Sequence, residues 1–352
     1  MNNKQKIPFG FWPSPVSPAM QAAHLRLQDV FFDTDGSLLW LEALSGKTAL
    51  MLKKGADAPR DISGGLKLDA GVGYGGGDFN ARFGTAIFAS QNRLFRVNLE
   101  SGLPQAVTPE FGGSASPKIS PDGKDVLFVH TYEKADCIAL APVDGSAWPK
   151  KVASGADFYM QPAWHPDGKR IAWIEWDHPQ MPWDGTRLMT GTLTENGLGD
   201  VQLVCGSEDT PVFQPEFSPD GRSLSYLVND GEWDSLVIVD LENGQKRSLV
   251  ENAVLIDPAW VQGMRLYGWS ADSSRIFYLR NQRGTRSLHT LDIASGESRQ
   301  MDITPYTWVS QIAVSTCDDQ LALIVSSPKI PTRLITLNGR GQTIERRSSS
   351  ES

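Results

Sequence analysis

Cysteine, positive charge and long hydrophobic runs are all scarce in this chain of 352 residues. Its three cysteines, Cys137, Cys205 and Cys317, stand far apart, which argues against a disulfide framework and favours a reducing compartment. The formal net charge of −8 argues against a nucleic-acid or anionic-membrane partner, because both need a basic face. No stretch approaches ~18 uninterrupted apolar residues, and residues 1–6 lack the apolar core of a signal peptide. We therefore expect a cytoplasmic protein that does not span a membrane.

Motifs for catalysis and cofactor binding are missing as well. The nearest approach to the Gly-x-Ser-x-Gly nucleophile motif, residues 112–116, ends in serine. Residues 45–48 imitate the end of a phosphate-binding loop, but Leu41 stands where that loop requires glycine. Glycine-rich residues 73–77 precede no helical pattern, which favours a tight passage between structural units. The five histidines have no second ligand at metal-binding spacing, so no catalytic residue, metal or cofactor is predicted.

A repeated turn is the most informative feature that is present. Ser-Pro-Asp-Gly or a close variant, followed by a short apolar quartet, occurs at residues 120–123, 165–168, 218–221 and 270–273. Asp-Gly reverses the chain because glycine accepts positive φ and aspartate bonds its own backbone. His165 replaces the serine in one copy and is expected to cap the turn. The aspartates are 45, 53 and 52 residues apart, which is the period of a propeller blade.

Counting these turns predicts an all-β, seven-bladed β-propeller. Each unit holds four short antiparallel strands, and helical periodicity is nearly absent. An early copy at Asp35-Gly36 and a degenerate one at residues 315–318 complete seven units. The predicted organisation is an N-terminal arm (1–21), the propeller (22–340) and a disordered polar tail (341–352).

Three segments carry a family resemblance. Residues 8–17 read Pro-Phe-Gly-Phe-Trp-Pro-Ser-Pro-Val-Ser, residues 74–79 read Tyr-Gly-Gly-Gly-Asp-Phe, and residues 176–184 read Trp-Asp-His-Pro-Gln-Met-Pro-Trp-Asp. Together they resemble the N-terminal half of bacterial prolyl oligopeptidase-like serine peptidases (family S9, the acylaminoacyl-peptidase and dipeptidyl-peptidase relatives). The resemblance covers roughly residues 7–338 and implies a propeller that accompanies an α/β-hydrolase domain. The family's Ser-Asp-His triad belongs to that other domain, so no residue here inherits peptidase activity.

One long loop is the predicted binding site. In the fourth blade, the connection between the second and third strands is longer than in neighbouring blades, and such loops on rigid scaffolds often bind partners. The candidate residues are Glu175, Trp176, Asp177, His178, Trp183 and Asp184. Their carboxylates could hold a peptide amine or a basic partner, with the tryptophans as stacking surfaces. Alternatively, the tryptophans pack the loop onto its blade and the aspartates bond turn amides.

The N-terminal arm is a second candidate surface. In the family that residues 8–17 resemble, such segments run along the domain junction. This resemblance assigns the same place to Phe9, Phe11 and Trp12. Exposed rings at these positions would be costly unless they pack onto the disc.

Three functions compete at this point. The leading hypothesis is a non-catalytic propeller module that gates or docks an α/β-hydrolase supplied elsewhere, with peptide as a possible ligand. The alternative is a free-standing TolB-like propeller that serves as a protein-interaction scaffold. A third is an enzyme that uses carboxylates in the propeller channel, although no paired acids stand at matching positions of several blades.

Overall fold

The structure is a computed structural model that describes residues 6–12 and 25–348. Within those residues the chain forms seven four-stranded antiparallel sheets and no helix. In every sheet the strands follow chain order, and the first strands of neighbouring sheets contact each other around a central axis. The protein is therefore a seven-bladed β-propeller with each first strand innermost, which confirms the predicted fold and blade count.

The first four blades contain sixteen strands. Blade 1 consists of β1 (Arg26–Phe32), β2 (Leu38–Leu44), β3 (Lys47–Lys53) and β4 (Arg60–Asp61). Blade 2 consists of β5 (Phe79–Arg82), β6 (Thr85–Ser90), β7 (Arg93–Asn98) and β8 (Gln105–Ala106). Blade 3 consists of β9 (Gly113–Ile119), β10 (Asp125–Tyr132), β11 (Ala135–Pro142) and β12 (Lys150–Ala153). Blade 4 consists of β13 (Phe158–Trp164), β14 (Arg170–Trp176), β15 (Arg187–Thr194) and β16 (Gly197–Gly206).

The last three blades contain twelve strands. Blade 5 consists of β17 (Val212–Phe217), β18 (Ser223–Asn229), β19 (Asp234–Asp240) and β20 (Lys246–Ala253). Blade 6 consists of β21 (Tyr267–Trp269), β22 (Arg275–Gln282), β23 (Thr285–Asp292) and β24 (Ser298–Gln300). Blade 7 consists of β25 (Trp308–Val314), β26 (Leu321–Ser327), β27 (Ile330–Asn338) and β28 (Gly341–Arg347).

The repeated Asp-Gly turn joins the first and second strands of a blade. In blade 3, the Ser120 hydroxyl donates to Asp122 Oδ1 (2.7 Å), which also accepts the Lys124 amide (3.1 Å). Gly123 adopts a φ of 76°, a conformation that glycine reaches without strain. In blade 4, His165 Nδ1 accepts the Asp167 amide at 3.1 Å, so the imidazole caps its turn as predicted.

Strand alternation gives the disc two distinct faces. We call the face with the Asp-Gly turns and the third-to-fourth strand turns the lower face. The upper face carries the second-to-third strand loops and the links between blades. The long loop of blade 4 therefore belongs to the upper face.

The core lies mainly between adjacent blades, and among the described residues it is side chains that join blade 1 to blade 7. Each sheet takes its four strands from one continuous stretch of chain, so these two blades exchange no strand in the described structure. The cluster between them contains Leu27, Val30, Phe32, Leu38, Trp40, Ala313, Ala322, Ile324 and Leu334. Glu42 accepts the indole N–H of fully buried Trp40 (2.8 Å) and pairs with Arg346 (2.6 Å). Lys53 pairs with Glu345 at 2.5 Å.

The predicted disordered tail is wrong for residues 341–347. They form β28, which pairs antiparallel with β27 through a turn between Asn338 and Gly341. An outer strand needs backbone hydrogen bonds rather than apolar side chains, so its polar composition did not reveal it. Residues 349–352 lie outside the described residues.

Candidate functional site

The candidate loop of blade 4 spans residues 177–186 between β14 and β15. The corresponding loops of blades 3, 5 and 6 contain two, four and two residues. The prediction that blade 4 carries the long loop among these blades is therefore confirmed, although Glu175 and Trp176 belong to the end of β14. This placement fixes the backbone of both residues in the sheet.

Arg187, at the start of β15, pairs with two of the predicted carboxylates. Its Nη2 lies 2.7 Å from Asp177 Oδ2 and 3.3 Å from Glu175 Oε1. Glu175 Oε2 also accepts the Trp173 indole N–H at 2.7 Å. Burial is the largest single influence on Asp177 and opposes its ionisation, but the hydrogen bonds from Arg187 and the Asp157 amide, together with the Arg187 charge, outweigh burial and lower the pKa of the carboxyl. Both acids thus have partners within their own blade.

The other predicted residues of this loop are mostly engaged in packing and turns. Trp176 is buried and stacks on Phe158, with ring centroids 5.1 Å apart, and the His178 ring meets the same phenyl edge-on at 4.8 Å. Asp184 Oδ2 accepts the Met181 amide at 3.0 Å, which closes a turn. These contacts correspond to the packing alternative, while a binding role for these residues remains a prediction.

Trp183 differs from its neighbours because it contacts the segment that links blade 5 to blade 6. Its ring lies 4.3 Å from that of Trp260, which in turn meets Tyr74 edge-on at 5.9 Å. Tyr74 is 71% exposed and Trp260 is 54% exposed. We call Tyr74, Trp183 and Trp260 the aromatic cluster. Sequence reasoning found Trp183 but not its partner Trp260, because nothing in the spacing of the chain relates residue 183 to residue 260.

The links that carry Tyr74 and Trp260 meet each other on the upper face. The backbone N–H of Gln262 donates to the Gly75 carbonyl (2.9 Å). The Gln262 side chain accepts from the Ser116 hydroxyl and donates to the Tyr159 carbonyl. Gly76 has a φ of 80°, and a Cβ there would lie 2.5 Å from the Gln262 carbonyl oxygen. The glycine-rich segment is therefore a tight passage between blades, as predicted, and only glycine fits its centre.

Among the described residues of the propeller, more exposed apolar side chains lie on the upper face than on the lower. Besides the aromatic cluster, the upper face presents Leu44, Phe111, Tyr132 and Trp233. The lower face presents Phe83, Leu103 and Trp148. Contiguous exposed aromatic groups are typical of surfaces that bind a partner.

The predicted arm residues Phe9, Phe11 and Trp12 are exposed. The arm is turned on itself, since the Trp12 indole donates to the Ile7 carbonyl at 3.1 Å. The expected packing of these rings onto the disc is absent for the described residues 6–12. Residues 1–5 and 13–24, including most of the motif after Trp12, lie outside the described residues, and the junction role stays a prediction.

Polar side chains join the inner strands around the channel. The Gln161 side-chain oxygen accepts the backbone N–H of Gln214 (2.7 Å), and the Gln214 side-chain oxygen accepts the backbone N–H of Leu266 (2.7 Å). Gln311 similarly accepts the Arg265 amide at 2.9 Å. Register shifts near these glutamines in β13, β17 and β25 turn the side chains toward the neighbouring blade.

Below these glutamines the channel holds several ionisable side chains that sequence reasoning missed. Arg265 pairs with buried Asp29 at 2.6 Å, and the Glu216 carboxylate accepts the side-chain N–H of Gln214 at 2.7 Å. Burial raises the pKa of Glu216 and lowers that of Lys118, whose pKa is lowered further by Arg265. The available signal was that Lys118 and Glu216 are charged residues within otherwise apolar inner strands. That pattern did not show that their side chains face the same channel.

Asp78 predicts a pH effect on stability. Burial raises the pKa of its carboxyl to about 6, and the charges of Asp29 and Asp69 add to the shift. The native state therefore holds this proton more tightly than the unfolded chain, and stability falls as pH rises from about 4 to about 6. We expect Asp78→Asn, which keeps an acceptor for the Ala70 amide (2.9 Å), to remove this loss of roughly 2–3 kcal/mol.

Urea unfolding of both proteins between about pH 4 and pH 8 checks this expectation. Asp57→Asn, in an exposed turn, serves as the control and should retain the wild-type slope. Parallel pH profiles for wild type and Asp78→Asn would contradict the assignment.

The part of the chain that the structure describes, residues 6–12 and 25–348, contains neither a metal-binding cluster nor a membrane-spanning helix. No group of three or more His, Cys, Asp or Glu side chains there could hold a metal ion. No helix in that part is long and apolar enough to cross a membrane.

Curated proteins similar to the chain include dipeptidyl-peptidases, whereas no family model matches the chain. Dipeptidyl-peptidase 5 of Trichophyton equinum is 25% identical over 236 residues, covering 64% of this chain and 27% of the relative. That of Porphyromonas gingivalis is 22% identical over 205 residues, covering 56% and 26%. The chain thus matches about a quarter of the length of these relatives.

Solved structures give the stronger likeness. A puromycin-hydrolyzing peptidase of Mycobacterium tuberculosis superposes with a TM-score of 0.86 at 24% identity, covering 99% of this chain and 57% of that one. Puromycin hydrolase gives 0.85 at 25% identity, covering 99% and 58%. TolB from Acinetobacter baumannii gives only 0.52 at 14% identity, covering 90% and 77%. The structural neighbours of this chain include the propellers of prolyl oligopeptidase-like peptidases, and the chain covers between 50% and 58% of those whole peptidase chains.

Proposed function

We propose that this chain is the propeller part of a prolyl oligopeptidase-like peptidase and that its upper face docks an α/β-hydrolase part. The observation that carries the proposal is the superposition of 99% of this chain on 57% of a peptidase. In this proposal the propeller is non-catalytic, since its sequence contains no Gly-x-Ser-x-Gly motif.

The aromatic cluster supports docking at the upper face. Tyr74 and Trp260 expose most of their rings although they contact each other, and Trp183 joins them from a different blade. Aromatic side chains of this kind are enriched among residues that dominate binding energy at protein interfaces. Three rings from three separate chain segments form one anchor that a rigid partner can cover.

The crossing of the two links favours docking over gating through the channel. Gly75 and Gln262 are joined by a backbone hydrogen bond, and Ser116 bonds both the Gly77 carbonyl and the Gln262 side chain. This network lies between the upper face and the channel below it. A peptide would therefore reach a docked hydrolase around the upper face rather than along the axis.

The test is reconstitution with hydrolase-domain proteins encoded in the same genome. We expect the isolated chain to give no turnover of aminoacyl-nitroanilides or acyl esters, and we expect it to co-elute with a matching hydrolase in gel filtration. Turnover by the pure chain would support an enzyme in its own right. Failure to co-elute with every candidate hydrolase would favour the alternative, a free-standing TolB-like scaffold.

A further inference from the structure

The channel opens into a cavity on the side away from the aromatic cluster. The cavity has a volume of about 300 Å³, at the lower end of the range for small-molecule sites. Its lining includes Thr34, Pro219 and Thr316, which belong to the Asp-Gly turns. Pro219 and Thr316 are exposed, so the cavity opens at the lower face.

The charges in its wall are unbalanced. Three cationic side chains line the cavity, namely Arg82, Lys118 and Arg265, against the single carboxylate of Glu216. This excess of positive charge stands out in a chain whose formal net charge is −8. Low-dielectric walls strengthen the field that such a group exerts on an anion.

Two of the three cations have little compensation from the protein. Lys118 Nζ has no hydrogen-bond acceptor within the described chain and lies 5.8 Å from the centroid of the Phe31 ring. Arg82 Nε is buried without a hydrogen-bond partner, and the Arg82 guanidinium lies over the Phe83 ring at 4.9 Å. By contrast, Arg265 has Asp29 as its partner at 2.6 Å. A bound anion would supply the acceptor that Lys118 lacks.

The acidic side chains near the cavity do not remove its preference for an anion. Glu216 already accepts a hydrogen bond from the Gln214 side chain, and burial raises the pKa of Glu216 just as it lowers those of Lys118 and Arg82. Asp33 acts on Arg82 electrostatically, but burial raises the pKa of Asp33 as well. Neither carboxylate makes an ion pair with Lys118 or Arg82 in the described structure.

The rest of the wall is apolar and aromatic. Phe31, Trp164, Phe217 and Trp269 line the cavity together with Ile119 and Ile312. We propose that the cavity binds a small organic carboxylate with an apolar body, such as the C-terminal residue of a short peptide. The carboxylate contacts Lys118, which shares the Phe31 ring with Arg265, and the body packs on the aromatic wall. This site is independent of the docking face on the opposite side of the disc.

Calorimetric titration of the isolated chain tests the proposal. The probes are N-acetyl-phenylalanine, its neutral amide and inorganic phosphate, each raised to the millimolar range. We expect the acid to bind, and the amide and phosphate to bind at least about tenfold more weakly, because one lacks the charge and the other the apolar body. No hydrolase is present, so a negative result here leaves the proposed function untouched.

A matched pair of variants locates the site. Lys118→Met should weaken binding of the acid at least about tenfold, whereas Lys124→Met, on an exposed turn of the same face, should leave it unchanged. Thermal unfolding checks that both variants fold, and the acid-to-amide comparison in wild type needs no variant. No binding of the acid, equal binding of acid and amide, phosphate binding as tight as the acid, or unchanged affinity in Lys118→Met would each overturn the proposal.

Discussion

Replacing Arg265 with methionine is expected to lower the free energy of unfolding by about 3–5 kcal/mol. Arg265 precedes the inner strand of blade 6, and its side chain bonds Asp29 of blade 1 at 2.6 Å and the Ile312 carbonyl of blade 7 at 3.0 Å. Asp29 is only 7% exposed, so the substitution leaves a buried carboxylate with Gln311 as its remaining side-chain donor. The effect is large because one guanidinium joins three blades.

Denaturant unfolding of four proteins measures this effect. The Asp29→Asn/Arg265→Met double variant should recover part of the loss, since the carboxylate that has lost its guanidinium partner is then replaced by a neutral amide. Arg222→Met, whose side chain is 87% exposed, should change stability by less than about 0.5 kcal/mol. If Arg265→Met unfolds at the wild-type midpoint, or if the double variant is no more stable than the single one, the explanation fails.

Replacing Trp260 with serine is expected to weaken docking of the hydrolase part by about 30-fold, which corresponds to about 2 kcal/mol. Trp260 is the central ring of the aromatic cluster, since it contacts both Trp183 and Tyr74. Its removal separates the other two rings and deletes the apolar surface that both of them contact. Titration of the matching hydrolase against each variant by calorimetry gives the affinity change.

Trp148→Ser is the matched control for this experiment. Trp148 is 72% exposed and Trp260 is 54% exposed, so both present a large part of the side chain to solvent. Trp148, however, lies on the lower face between β11 and β12. We expect its substitution to leave the affinity unchanged. Equal losses from both variants would indicate nonspecific hydrophobic association, and no loss from Trp260→Ser would exclude the aromatic cluster as the docking anchor.

The architecture was largely predictable because its signals are local. An Asp-Gly turn specifies its own reversal through hydrogen bonds within a few residues, as Ser120, Asp122 and Gly123 do, so each copy marks a strand pair. The same locality explains why His165 was correctly expected to cap its turn. Outer strand β28 was missed because pairing through backbone atoms leaves no hydrophobic pattern to find.

The site was predictable only in part. The long loop of blade 4 was visible as an insertion between two strands, yet the partners of its side chains were not. Arg187 engages Glu175 and Asp177, which is a contact across one strand pair. Trp260 and Lys118 were missed because their significance comes from neighbours that are distant in sequence.

The sequence by itself determined the number of blades, the order of their strands and the face on which the long loop lies. All three follow from strand alternation and from turns that fold independently of the rest of the chain. Only the tertiary structure decided which rings share the upper face and which charges share the channel. Closing seven sheets into a ring brings together residues such as Asp29 and Arg265, 236 positions apart, and no local pattern encodes that distance.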